Sequence, residues 1–235
     1  MKAYRSILIL LVITAIGCKG SHYIPNDHNI PLLEKKGDTH IDVASTVNIV
    51  IPSPSIKTAY AFSNKYAAML NINYQHDPTL ILAQSLYYEL GVGRFHKNKS
   101  ENIFELYGLA GAGEIRSANG FNQEDLLKYA KYGIQFNAGS KKNKLFWAFS
   151  TRLMRLHYYD KDILNPDNRV QEGVDPGDKY ILFEPGFQIG HQGKDVRTYA
   201  NWSRSSNISD TDFHQINNRF TVGVAISLNT FTNEN

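Results

Sequence analysis

From Asp38 to the end of the chain, apolar and polar residues alternate with a period of two in nearly every segment between turn clusters, and no window carries helical periodicity. The alternation predicts strands at approximately 38–51, 55–63, 66–76, 80–95, 102–115, 127–138, 144–160, 179–190, 195–204 and 216–231. It is clearest in the last, where Phe220, Val222, Val224, Ile226 and Leu228 share one face and Thr221, Gly223, Ala225 and Ser227 the other. Strand 102–115 fits worst, because Phe104, Leu106, Tyr107 and Leu109 do not respect one face. An even number of strands suits a single closed antiparallel up-and-down β-barrel with both chain ends on one side. The expected fold is therefore an all-β barrel of ten strands.

The polar faces decide which way the wall points. Water-facing strands would be dominated by Lys, Glu, Asp and Arg. Here those faces are mostly Gly, Ala, Ser, Asn and Gln, which suits the inside of a narrow barrel. The few charges on them are Lys57, Lys131, Arg152, Arg197 and Arg219 against Glu89 and Glu184, candidates for pairs that cross-link the wall through the lumen. The opposite faces carry aliphatic residues, with Tyr60, Phe62, Tyr66, Tyr74, Tyr88, Tyr132, Trp147 and Trp202 towards strand ends, as the aromatic girdles of an outer-membrane barrel require. In a soluble β-protein the same side chains would form the core. Connection lengths favour the membrane: 64–65, 96–101, 139–143 and 191–194 are short, whereas 116–126, 160–178 and 205–215 at the other end are the longest in the chain.

Ahead of the barrel, Lys2 and Arg5 precede an apolar run from Ile7 to Ile13, the pattern of a signal peptide over residues 1–17. Ala15, Ile16 and Gly17 before Cys18, the only cysteine, resemble the lipobox of bacterial lipoproteins, which implies an acylated (palmitate-bearing) Cys18 as the mature N-terminus. Lys19, Gly20, Ser21 and His22 lack the acidic run that some Bacteroidota lipoproteins use for surface export. Residues 18–37 then read as a lipidated linker and 38–235 as the barrel domain. In the linker, Pro25 and Pro31 oppose a regular helix or central strand, and Tyr23, Ile30, Leu32 and Leu33 are expected to dock on the barrel's end. With 25 basic and 22 acidic residues in 235, and Lys2 and Arg5 lost on processing, the mature chain is close to neutral and offers no electrostatic footprint for nucleic acid.

Tyr23 to Asn26 and Asn29 to Gly37, the Tyr-Ala-Phe-Ser of Tyr60 to Ser63, the Glu-Leu-Tyr-Gly-Leu-Ala-Gly-Ala-Gly of Glu105 to Gly113, and Leu156-His157-Tyr158-Tyr159 together resemble a family of Bacteroidota outer-membrane β-barrel (lipo)proteins. The resemblance spans most of the mature chain. It implies a barrel in the outer membrane of a Gram-negative bacterium, with the N-terminus on the periplasmic side, and no defined catalytic residues. The end of the chain departs from outer-membrane barrels generally: Phe231 falls in the register of the polar face and is followed by Thr232, Asn233, Glu234 and Asn235.

Chemistry-bearing motifs are missing. The eight histidines never fall into metal-ligand spacing, and most are expected to be solvated or girdle residues. No nucleophile elbow, phosphate loop or dinucleotide fingerprint stands in a suitable context, and Gly108, Gly111 and Gly113 lie inside a strand, where glycine relieves crowding. The acidic loop 160–178 has oxygen ligands for calcium but no EF-hand spacing. No cofactor, metal or enzymatic activity is expected. The leading expectation is a structural, adhesive or partner-binding barrel that contacts membrane lipid and meets a protein or surface glycan through 116–126, 160–178 and 205–215. Alternatives are a small channel or transport accessory, a periplasmic lipocalin-like lipoprotein with its oily faces around a hydrophobic ligand, and an outer-membrane enzyme acting on lipids.

Overall fold

The computed structural model describes residues 23–46, 53–77, 83–119, 123–142, 144–163, 174–209 and 218–229. The strands are β1 (Asp38–Thr46), β2 (Ser53–Tyr60), β3 (Tyr66–Asp77), β4 (Ala83–Lys97), β5 (Asn102–Asn119), β6 (Gln123–Lys142), β7 (Leu145–Ile163), β8 (Lys179–Gln192), β9 (Val196–Arg204), the two-residue β10 (Ser206–Asn207) and β11 (Asn218–Asn229). Each pairs antiparallel with its sequence neighbour up to β9, and the β9–β11 and β11–β1 ladders close the cylinder. Ten staves therefore form one closed antiparallel barrel of the outer-membrane type, as the alternation predicts. The strand β10 continues β9 in one register, since Ser203 faces Gly186 and Ser206 faces Phe183. The ladder lapses between them, opposite Pro185, whose nitrogen has no hydrogen to donate.

The wall is inside out relative to a soluble domain. Leu90 and Phe220 are 64% and 60% exposed, while Lys57 and Arg152 are 0% exposed. Tyr60, Phe62, Tyr66, Tyr74, Tyr88, Tyr132 and Trp147 all face outward as girdle residues do. With the oily faces outside, a lipocalin-like cavity lined by them does not exist in this barrel. The connections after β2, β4, β6 and β8 lie at one end, called here the short-turn mouth. At the opposite mouth, 47–52, 78–82, 120–122, 164–173 and 210–217 lie outside the described residues, as do the signal segment, Cys18 and Phe231.

The segment 23–36, read above as a linker docking on the barrel's end, instead runs inside it. Tyr23 to Leu33 are all buried. This plug also explains why β5 breaks the pattern: Tyr107, Leu109 and Ile115 point inward and join Tyr23, Ile24 and Leu33 in one apolar cluster, while Phe104 and Leu106 face outward. The lumen is thus partly a protein core.

Tyrosine rings in that core lie against glycines of neighbouring strands. Tyr199 of β9 covers Gly223 of β11, its register partner, so closely that a Cβ there would collide with the ring. Gly111 gives the same room to Tyr87, and Gly113 to Tyr129, whereas Gly108 faces open space outside. Replacing Gly223 by alanine is expected to displace Tyr199 and cost about 1–3 kcal/mol, the usual range for overpacking. The midpoint of the heat-induced shift in gel migration of the folded barrel measures it.

Candidate functional site

The plug crosses the lumen from Gly37, whose N–H donates to Ala61 O at the short-turn mouth, to Pro25 in the other half of the barrel. From Ile24 to Glu34 its prolines and extended backbone form no strand ladder, and buried backbone groups need partners. Wall side chains supply them. Gln75 Nε2 and Arg219 Nη1 donate to Pro25 O at 3.0 and 2.9 Å, and Gln135 Nε2 donates to Asn29 O at 2.6 Å. Arg197 donates through Nη1 to Ile30 O and through Nη2 to Pro31 O, and Lys141 Nζ donates to Leu32 O at 2.8 Å. The Leu33 N–H donates to Glu105 Oε1 at 2.8 Å. Leu32 takes the left-handed conformation, φ 54°, where the chain turns to leave the lumen.

All seven polar residues singled out from the sequence lie on the interior wall, six of them in four ion-pair groups. In the first, Lys57 Nζ donates to Tyr199 OH at 2.8 Å and stands 3.3 Å from Asp42, which accepts from the same hydroxyl. In the second, Glu89 accepts from Asn71 at 2.7 Å and from Tyr87 OH at 3.0 Å, with Arg152 Nη2 at 3.3 Å, while Arg152 Nε donates to Gln135 at 2.6 Å. In the third, Lys131 Nζ donates to Tyr23 OH at 2.6 Å, and that hydroxyl donates to Glu184 at 2.7 Å. Arg219 forms the fourth, with Nε 2.7 Å from Asp27 Oδ1 of the plug. Arg197 meets no carboxylate; its guanidinium lies over the Phe146 ring, 4.5 Å from the centroid.

Three buried carboxylates escaped the sequence reading. Asp42 and Glu105 are wall residues, and Asp27 belongs to the plug, where Thr221 Oγ1 and Ser55 Oγ also donate to it at 2.6 and 3.2 Å. Among the described residues the buried interior holds the cations Lys57, Lys131, Arg152, Arg197 and Arg219 and the carboxylates Asp27, Asp42, Glu89, Glu105 and Glu184. These charges balance only with the plug in place. A usable signal stood in the sequence: residues 23–33 mix apolar side chains with Asn and carry almost no charge, unlike a solvated linker.

At the short-turn mouth Glu34 closes the plug. Its carboxylate accepts from Lys97 at 2.7 Å and from Lys141 at 2.8 Å. Burial alone would raise the Glu34 pKa, but Lys141 and Lys97 hold it below the ordinary glutamate value. A lowered folded-state pKa contributes stability that is complete above the unfolded value and lost as pH falls through the folded one. Acidification is therefore expected to free the segment 33–36 before the ladders melt, and hydrogen exchange of those amides at pH 7 and below pH 4 checks it.

Two histidines depart from expectation. His28 and His40 are buried in the lumen, His28 against Gly186, rather than solvated. Among the described residues no three His, Cys, Asp or Glu side chains are grouped to hold a metal ion. In the acidic loop, Asp160 and Asp162 pair with Lys128, and Asp175 lies near Lys161.

These features define a class: a closed transmembrane-type barrel whose lumen holds its own segment 23–36. Among solved structures it is similar to the KdgM porin, with 13% identity and a TM-score of 0.41 over 80% of this chain and 99% of that one. It is similar also to the translocator domain of autotransporter NalP from Neisseria meningitidis, with 10% identity and a TM-score of 0.42 over 80% and 86%. LpxR from Salmonella typhimurium gives 9% identity and a TM-score of 0.38 over 81% and 99%. No protein-family model matches the chain, and no curated protein sequence matches it.

Proposed function

We propose that this is a non-enzymatic barrel lipoprotein of the Gram-negative outer membrane, anchored additionally through Cys18. It acts as a structural, adhesive or partner-binding platform through 116–126, 160–178 and 205–215. The observation that carries the reading is the filled lumen: with Tyr23 to Leu33 buried among wall side chains, work at the barrel's mouth is favoured over passage through it. Most of 116–126 belongs to β5, which runs to Asn119, and to β6, which starts at Gln123, so the sheet reaches the base of these connections, and loops carried on such a scaffold serve recognition. Recording from the whole protein in planar bilayers tests this reading. Silence is expected, and discrete open-channel steps would favour the small-channel alternative.

A periplasmic N-terminus is part of the same proposal, with the short turns in the periplasm. Tyr23 lies against Tyr129, in the half of the barrel nearer the long loops. A periplasmic N-terminus then requires the chain before Tyr23 to turn back. An epitope tag after Lys19, probed by antibody on intact and on permeabilised cells, decides it: labelling only after permeabilisation is expected, and labelling of intact cells would put the N-terminus outside.

A further inference from the structure

We infer that the short-turn mouth is an annular binding surface for the phosphate-bearing headgroups of anionic phospholipids. The inference rests on the barrel's place in a bilayer and adds a ligand class to it. Each of the four turns at this mouth carries or adjoins an exposed cation: Lys65 at 61–65, Lys99 at 98–101, Lys142 and Lys144 at 143–144, and Lys194 at 193–195, with Arg94 on the outer wall of β4. None of them forms an ion pair among the described residues. The carboxylates nearby are mostly engaged. Glu34 holds Lys97 and Lys141, Glu101 lies 3.3 Å from Lys97, and Asp38 accepts from the Glu34 and Lys35 backbone N–H groups, which leaves Asp195.

Position selects the partner. Arg94 faces Tyr66 in the β3–β4 register, and both are exposed on the outer wall, where Tyr66 stacks on Phe62. Lys142 faces Leu145, two residues from the outward Trp147. The cations thus stand at the level of an aromatic girdle, where hydrocarbon gives way to headgroups. They also run round the circumference, so they meet the surrounding lipid shell; a folded protein partner would need one concentrated face. A cation near an anionic lipid surface gains about 1 kcal/mol, roughly fivefold in affinity, and loses it with screening. At the opposite mouth Lys128 and Lys161 are taken up by Asp160, Asp162 and Asp175, and the exposed Arg116, Lys179 and Arg204 stand among the further carboxylates Glu114 and Asp178, so cations outside ion pairs are fewer there than at the short-turn rim.

The test uses the whole protein in phosphatidylcholine bilayers containing a minor fraction of phosphatidylglycerol. Spin-labelled analogues of the two lipids report which is retained in the motionally restricted shell. Phosphatidylglycerol is expected to be favoured several-fold at low salt and to lose most of that preference in high salt. The combined variant Lys65→Gln, Arg94→Gln, Lys142→Gln, Lys144→Gln should abolish it, while Arg116→Gln, Lys179→Gln, Arg204→Gln at the other mouth leaves it in place. Insertion and heat-modifiable migration of each variant establish separately that the barrel is in the bilayer. Equal retention of the two lipids by the inserted wild-type protein, or a preference untouched by the fourfold variant, overturns the proposal and turns the basic rim towards a protein partner.

Discussion

Deletion of residues 23–36 is expected to turn a silent barrel into a conducting one with a preference for anions. The wall ladders do not depend on the plug: β1 pairs with β11 over Asp38 to Thr46, outside the deleted segment. The cylinder therefore still closes, and a ten-stranded barrel emptied of an extended chain leaves space that water fills. Removing 23–36 takes away Asp27 and Glu34, and also Lys35 and Lys36, which are exposed outside the lumen; Arg219 and Lys141 lose their carboxylate partners, while Lys97 keeps Glu101. The lumen then carries an excess of positive charge, and rings of charged side chains set the ion preference of a pore. Reversal potentials in a potassium chloride gradient should give chloride the higher permeability. A folded, inserted deletion variant that stays silent would show that wall side chains alone close the lumen.

The second large effect is expected at Asp27. It is buried, stands 2.7 Å from Arg219 and accepts from Thr221 and Ser55, tying the plug to β2 and β11 at once. Alanine at this position leaves a buried guanidinium without its counter-charge, a change that costs about 3 to 5 kcal/mol. Adding Arg219→Met to Asp27→Ala removes the orphaned charge and should recover most of the loss. The double variant separates an ion pair's orphan penalty from simple loss of packing. Urea or heat midpoints of the wild type, Asp27→Ala, Arg219→Met and the double variant measure it; equal destabilisation in Asp27→Ala and the double variant would mean that the carboxylate matters through Thr221 and Ser55 instead.

The wall was legible because lipid and lumen impose opposite demands on alternate residues. Where the lumen is polar, as at Asn71, Asn73 and Gln75 or at Lys131 and Gln135, period two identifies the strand and its faces. Where the lumen is apolar the signal fails: inward Tyr107 and Leu109 alternate with outward Leu106, so β5 looks oily on both sides. Tyr87, Tyr129, Tyr158 and Tyr199 are hidden likewise, since tyrosine is also the expected girdle residue. The plug was beyond reach of periodicity altogether. From Ile24 onward it is an extended segment outside any ladder, and what fixes it is the spacing of Gln75, Gln135, Arg197 and Arg219 on strands far away in sequence. Asp42 and Glu105 were overlooked because a lone carboxylate in a strand looks the same whether it faces solvent or lumen. One observation pointed towards them: Lys57, Lys131, Arg152, Arg197 and Arg219 outnumber Glu89 and Glu184, and a buried excess of cations demands further anions.

The oily wall is expected to meet lipid directly, independent of any anchor on Cys18. The most direct measurement carries Cys18→Ser behind a signal peptide with an ordinary cleavage site, and asks whether the protein stays in outer membranes washed at alkaline pH. Retention in the membrane, with heat-modifiable migration intact, is the predicted result. Release as a folded soluble protein would contradict it, because Leu90, Val92, Phe220 and their outward neighbours would then have to be covered by something other than the bilayer.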